Sequence, residues 1–131
     1  MAFVVLDTTV VIDVLKQRPR AVERFLALES HGDVPHVCAV TVEEVSAWLR
    51  PDEGERAAAM FDGLSIAPLG LAEGRLAGWW RRRYRRSGKT LTQADALIAA
   101  AAAGIGARLA TGNVKDFPMS GLEVEHWPSG E

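Results

Sequence analysis

The stretch FVVLDTTVVIDVL, Phe3 to Leu15, constrains the fold of this chain more than any other. Its first four residues are apolar, too few for a helix and valine-rich enough for a buried strand. Asp7 stands where that strand should end. Thr8 and Thr9 follow, and then Val11, Val14 and Leu15 at helical spacing. A charge set directly against a buried strand costs free energy unless something pairs with it. Two readings compete for Asp7. One is a helix N-cap, its oxygen accepting the first free backbone N–H groups. The other is a metal ligand at the carboxyl end of a parallel strand, where open α/β sheets place their sites.

The remaining chain repeats the alternation. Pro19 restarts a helix whose stripe is Ala21, Val22, Phe25, Leu26 and Leu28, closed by His31-Gly32-Asp33. Val34 to Val40 reads as a second strand. Thr41 to Leu49 reads as a helix with Thr41 as its cap and Glu44 completing a capping box. Gly54 to Phe61 is a further helix, and Leu64 to Pro68 a short strand or extended link. Leu71 to Arg86 is the longest helical segment, with Leu76, Trp79, Trp80 and Tyr84 as its apolar stripe. Leu91 to Ala103 is an alanine-dominated helix suited to close packing on a sheet, with Gly104 as its C′ residue. Ala107 to Ala110 is a strand, Asn113 to Phe117 one helical turn, and Leu122 to Trp127 a final edge strand. Strands separated by helices mean βαβ crossovers and a mainly parallel sheet. No repeat or linker interrupts residues 1–131, so a single domain is expected.

Composition narrows the function. No apolar run approaches the ~20 residues that cross a bilayer, and the N-terminus lacks a basic lead and a small-residue cleavage site. A cytoplasmic protein without membrane attachment is the expectation. The single cysteine, Cys38, excludes an internal disulfide and a CxxC zinc site, and its run Val37-Cys38-Ala39-Val40 makes it a small core residue. His31, His36 and His126 have no ligand spacing and read as surface residues, which argues against zinc. Net charge is −2, yet six of the fifteen Lys and Arg residues fall between Arg81 and Lys89. That is local basicity on an acidic background.

Asp7, Glu44, Asp95 and Asp116 all sit at or near helix starts. Each has a local explanation. Glu44 and Asp95 follow Thr41 and Thr92 by three residues, and Asp116 follows Asn113 likewise, so all fit capping boxes. Negative charge near a helix N-terminus is favourable by ~0.3–1 kcal/mol. In a parallel sheet, however, strand carboxyl ends and the helix starts that follow them share one edge. Asp7, Glu44 and Asp116 would gather there, and Asp95 would join them if its helix crosses that edge. Such a group repels itself unless a cation neutralises it, and an all-oxygen set suits Mg²⁺ or Mn²⁺. A carboxylate cluster of this kind can activate water and stabilise a phosphate under in-line attack. Haloacid-dehalogenase-type phosphatases need a second aspartate where Thr9 stands here. GxxxxGKT, GxSxG and GxGxxG motifs are all missing.

The segments LDTTVVIDVL, TVEEV, ADALIAAAAA and LATGNVKDFP, in this order and spacing, resemble the PIN domain, and specifically the VapC toxins of bacterial toxin–antitoxin pairs. The resemblance spans nearly the whole chain, including the closing GLEVEHW. It implies a PIN-like three-layer α/β sandwich with a parallel central sheet and Mg²⁺-dependent endonucleolytic cleavage of RNA. It also implies a small antitoxin whose tail covers the site, and a homodimer. Carried over by position, Asp7 is the first acid, Glu44 the second and Asp95 the third. In the fourth place Asp116 is the charged contributor, supported by Asn113, and Thr111 orients a carboxylate or water. Asp7 and Asp95 would be the principal ligands. Glu43 competes with Glu44, but helical direction and the motif favour Glu44. Gly112 departs from the pattern, since relatives often carry arginine there.

The basic run, with Arg81, Arg82, Arg85 and Lys89, is either an RNA-facing surface or a solvated helix face. Trp79 and Trp80 fit core or dimer packing better than base stacking. Two other functions stay open: an inactive PIN-like module that binds RNA or a partner, and a metal-dependent DNase or phosphoesterase.

Overall fold

The computed structural model describes residues 1–131. Strand β1 (Phe3–Leu6) lies at the centre of the sheet and sends its side chains alternately to two faces: Val5 joins one apolar cluster, Val4 and Leu6 the other. Its neighbours are β2 (Val34–Val37) on one side and β4 (Arg108–Thr111) on the other. The short β3 (Ser65–Ile66) and β5 (Val124–His126) close the edges. The order is β3-β2-β1-β4-β5 and every pairing is parallel, so the expected mainly parallel sheet is wholly so.

Helices cover both faces. Helices α1 (Thr8–Leu15), α2 (Pro19–Ser30), α3 (Ala39–Ala47) and α4 (Gly54–Asp62) pack Val10, Val11, Leu15, Leu28, Val45 and Ala57 against Val4, Leu6 and Ala110. Helices α5 (Leu71–Arg86) and α6 (Gln93–Gly104) cover the opposite face through Trp80, Ala96, Ile98 and the alanines that follow it. This is the three-layer α/β sandwich expected. The chain leaves β1 toward β2 in one direction and β4 in the other, so a crevice opens at the carboxyl ends of β1 and β4.

Four local expectations are corrected. Strand β2 stops at Val37 and α3 already begins at Ala39, with Cys38 in the N-cap and no side-chain cap bond. Thr41 therefore lies inside the helix, fully buried, its hydroxyl 3.4 Å from Thr8 Oγ1 instead of on the helix start. Helix α6 continues through Gly104, and the left-handed residue after it is Gly106 (φ +65°). Gly104 serves a close approach instead: a Cβ there would stand 3.2 Å from Glu73 Oε2 on α5. On α5 the buried residues are Ala77 and Trp80, while Trp79 is 46% exposed. Successive helical residues point about 100° apart, so two adjacent tryptophans cannot both face α6. Finally, His36 is buried, its ring 4.8 Å from that of Phe3 and Nδ1 2.9 Å from Val34 O.

Ala99, Ala100, Ala101 and Ala102 are completely buried where α6 lies between the sheet and α5. Because Ala100 is fully buried, Ala100→Leu should overpack the layer and destabilise the fold by about 1–3 kcal/mol. Urea denaturation would show this as a lower midpoint at unchanged slope.

Candidate active site

Asp7 follows β1 directly and stays in the sheet, its own N–H donating to Ala110 O on β4 at 3.1 Å. Its extended backbone (φ −79°, ψ 175°) turns the carboxylate onto the start of α1. One oxygen, Oδ1, accepts from Val10 N (3.1 Å) and from Thr9 Oγ1. The other, Oδ2, accepts from Thr111 Oγ1 at the end of β4. Asp7 thus caps the helix as the first reading held, and it is also one of the few polar residues buried in the protein, 4% exposed. Thr111 is buried with it and accepts in turn from Asn113 N at 3.0 Å. Thr111 therefore orients a carboxylate in this structure, and Asn113 enters through its backbone.

Two residues of the site escaped the motif reading. Thr8 Oγ1 donates to Glu44 Oε1 at 2.5 Å and so ties α1 to α3. This bond, not a capping box with Thr41, places Glu44. Thr9 joins Asp7 Oδ1 to the next loop, because Gly112 N donates to Thr9 Oγ1 at 3.0 Å. The only sequence signal was a pair of hydroxyls immediately after a strand-end aspartate. Glu43 is exposed beside Glu44, and both line a cleft of about 400 Å³ with Gln93 and Ala94 at the start of α6.

Asp95 reaches this edge from α6, whose cap is Thr92: its hydroxyl accepts from Asp95 N at 3.1 Å, as expected. Asp116 ends a single 3₁₀ turn (Val114–Asp116) in which Asn113 makes no side-chain cap bond, so that expected box is not formed. The four acids are linked by the charge they share at this edge. Burial pushes the Asp95 carboxyl above the usual aspartate range, and the negative charges of Asp116, Asp7 and Glu44 push it further. Burial also raises Asp7, against the opposing hydrogen bonds from Thr111, Thr9 and Val10.

No three acidic, histidine or cysteine side chains stand close enough to form a closed ligand cage. The donor set nonetheless fits a hard divalent cation: it offers oxygens only, and the mutual repulsion at Asp95 is what such a charge relieves. Mg²⁺ retains several waters and binds through one or two carboxylates, so an open arrangement suits it. The imidazoles are elsewhere, His36 in the sheet and His31 and His126 exposed.

The loop after β4 explains the departure at Gly112. A Cβ there would collide with Ser129 Oγ and stand 3.2 Å from Thr9 Oγ1. The segment carrying Ser129 is held by Gly130 N donating to Asp13 Oδ2 (3.0 Å) and by Arg20 N donating to Glu131 O (2.9 Å). An arginine at 112 would have to displace it. Of the basic run, Arg81 Nε donates to Leu91 O at 3.3 Å and Lys89 Nζ to Lys115 O at 2.9 Å, while Arg82 and Arg85 are exposed.

These shifts set a pH dependence. Asp7 and Asp95 hold their protons more tightly folded than unfolded, so the cation-free protein gains stability below their raised range. It loses that stability as pH rises from the ordinary value of 3.8 through the folded values. Asp95→Asn should then stabilise the cation-free fold at neutral pH by about 0.5 kcal/mol, a small gain because half of the group is screened by solvent. Thr111→Val should have the opposite sign. It removes a donor to a buried carboxylate and costs about 1–2 kcal/mol at neutral pH, less once Asp7 is protonated. Thermal melts of both variants across acid and neutral pH would test the pair.

Comparison with known proteins agrees with this fold. The family description PIN domain matches residues 4–118. Ribonuclease VapC19 of Mycobacterium tuberculosis is 32% identical over 114 residues, covering 87% of this chain and 91% of the relative. Among solved structures, the DNA-bound VapBC of Salmonella typhimurium superposes with a TM-score of 0.81 at 22% identity, covering 97% of this chain and 99% of that one. VapBC2 of Rickettsia felis, bound to a fragment of its promoter DNA, gives 0.80 at 21% identity, with 95% and 98% covered. A wholly parallel sheet with an aspartate buried at its crevice, a family match over residues 4–118 and a relative 32% identical over 114 residues place this chain in the PIN domain family, among proteins of the VapC type.

Proposed function

We propose that this protein is a Mg²⁺-dependent endoribonuclease and the toxin of a toxin–antitoxin pair. The observation that carries the proposal is Asp7, buried at the crevice and held by Thr9, Val10 and Thr111, with Glu44 tied to the same helix through Thr8 and the charges of Asp116, Asp7 and Glu44 felt at Asp95. It is a concentration of negative charge at the site crevice with no protein cation to balance it: the ion pairs of the fold involve Arg20, Arg24 and Arg108. Similarity to a ribonuclease over 91% of that relative's length supports RNA as the substrate.

Asp7 and Asp95 would hold the ion, Mg²⁺ or in its place Mn²⁺, with Glu44 and Asp116 completing its surroundings or positioning water. Bound there, it would supply the Lewis acidity that lowers the pKa of a water and offsets charge on the phosphate. The chain's own part is orientation. Thr111, Thr9 and the Val10 N–H fix both Asp7 oxygens, and Thr8 fixes Glu44, so the acids need not reorganise when substrate arrives. Water close to these carboxylates can give up its proton to whichever of them is ionised.

The VapBC complexes among its structural relatives support a cognate antitoxin as partner, and the family resemblance implies a homodimer. We assign the antitoxin to the groove of about 180 Å³ lined by Ile12, Leu15, Val45, Trp48 and Leu49. Trp48 is 85% exposed there, and the groove shares α1 and α3 with Thr8 and Glu44. No helix is long and apolar enough to cross a membrane; we place the activity in the cytoplasm, where its substrate is made.

The test is RNA cleavage with Mg²⁺ and with a chelator, comparing wild type with Asp7→Asn and Asp95→Asn. Each variant should lose about a hundredfold or more, the scale seen when one charged group leaves a preorganised site. A second readout is thermal: saturating Mg²⁺ should raise the melting temperature of wild type and not of Asp7→Asn. Folded variants that cut as fast as wild type would refute the assignment. RNA binding without cleavage would favour a binding module, and cleavage of DNA alone a deoxyribonuclease.

A further inference from the structure

The basic run on α5 divides into two parts. Arg81 and Lys89 are tied down, their head groups donating to Leu91 O and Lys115 O. Arg82, Arg83 and Arg86 point outward and, with Trp79, line a shallow recess of about 70 Å³. Arg83 lies over the Trp79 ring, 5.5 Å from its centroid, and the indole remains 46% exposed.

This arrangement is costly for an isolated helix. Arg82 and Arg86 are four residues apart and Arg83 and Arg86 three, spacings at which like charges repel. No acid pairs with any of them, since the ion pairs of the fold involve other arginines. The helix dipole offsets part of the repulsion for Arg83 and Arg86 in the last turn. It explains neither Arg82 nor an open tryptophan among the cations. A polyanion carrying flat apolar groups satisfies both features, and single-stranded RNA has that chemistry.

The helix that carries the patch is also fastened to the site. Tyr84 Oη donates to Pro118 O at 2.9 Å and Lys89 Nζ to Lys115 O, so the C-terminal end of α5 is fastened to the loop that carries Asp116. We infer that Trp79, Arg82, Arg83 and Arg86 form an accessory site for single-stranded RNA, holding substrate that extends past the acidic crevice along α5. Trp79 would stack on a base and the arginines would contact phosphates on either side of it. The inference rests on the ribonuclease reading and extends its substrate contacts beyond the cleft.

The experiment uses the full chain carrying Asp7→Asn, so that RNA stays intact, and a labelled single-stranded RNA of about 20 nucleotides, longer than one binding module covers. Fluorescence anisotropy between about 50 and 200 mM salt gives affinity and salt slope. Arg82→Ala with Arg86→Ala should weaken binding at low salt and reduce the slope by about 1.4, two contacts at ~0.7 each. Trp79→Ala should weaken binding roughly tenfold, while Trp79→Phe keeps most of it. Affinities of both alanine variants within about twofold of the parent, a difference too small for one lost stacked base, would overturn the accessory site. An equal loss on duplex DNA would overturn its single-strand character. Sedimentation adds a third arm: a dimer turned to monomer with RNA affinity unchanged would make this face an interface between copies. Loss of binding by these variants, in a protein that proves unable to cut RNA with Asp7 restored, would uphold the accessory site while rejecting the nuclease.

Discussion

Everything at this sheet edge depends on keeping one carboxylate charged where water barely reaches it. Asp7 is 4% exposed, and burial alone would favour its neutral form. Three donors oppose that, two from the first turn of α1, the Thr9 hydroxyl and the Val10 N–H, and one from Thr111 at the end of β4. The strand order makes this possible, because β4 rather than β2 lies next to β1 on the side that Thr111 occupies. The hydrogen bonds of the site are therefore also ties between α1, β1 and β4. Removing them would loosen fold and site together.

The other acids show the opposite economy. Asp95 gains a cap partner in Thr92 but stands in the field of three other negative groups. Natural proteins retain such repulsion where function requires it, and lose stability for it. Arg108, by contrast, has its charge fully used: it bridges Asp33 at 3.0 Å and Glu125 across the strand ends opposite the site, and holds the Asp33 carboxyl below the usual range. The same fold thus pairs its charges at one edge and leaves like charges unpaired at the other.

What could be read from the sequence follows the range of the interactions. Phe3 to Leu6 was legible as a strand because a short valine run ended by aspartate has few other uses, and α5 matched from Leu71 to Arg86 because its periodicity is local. The four acids could be nominated together because parallel topology turns helix starts into neighbours. The start of α3 was not, because Thr41 looks like a cap in one dimension and is a buried partner of Thr8 in three. Thr8 and Thr9 escaped for the same reason: their partners Glu44 and Gly112 lie 36 and 103 residues away. His36 and Trp79 exchanged their expected places, one buried against Phe3 and the other exposed beside Arg83. Neither local polarity nor a broad helical stripe distinguishes those outcomes.

The alanine run of α6 has a consequence for precision. Alanine has no side-chain rotamers, so the contact of Ala99 to Ala102 with their surroundings offers no alternative packing to exchange into. The helix behaves as a spacer of one thickness between sheet and α5. Its first turn carries Asp95, and that carboxylate inherits the stiffness of the layer below it. Whatever Asp95 binds therefore meets a helix start whose position is fixed by backbone packing, with only the rotamers of the carboxylate itself left to adapt.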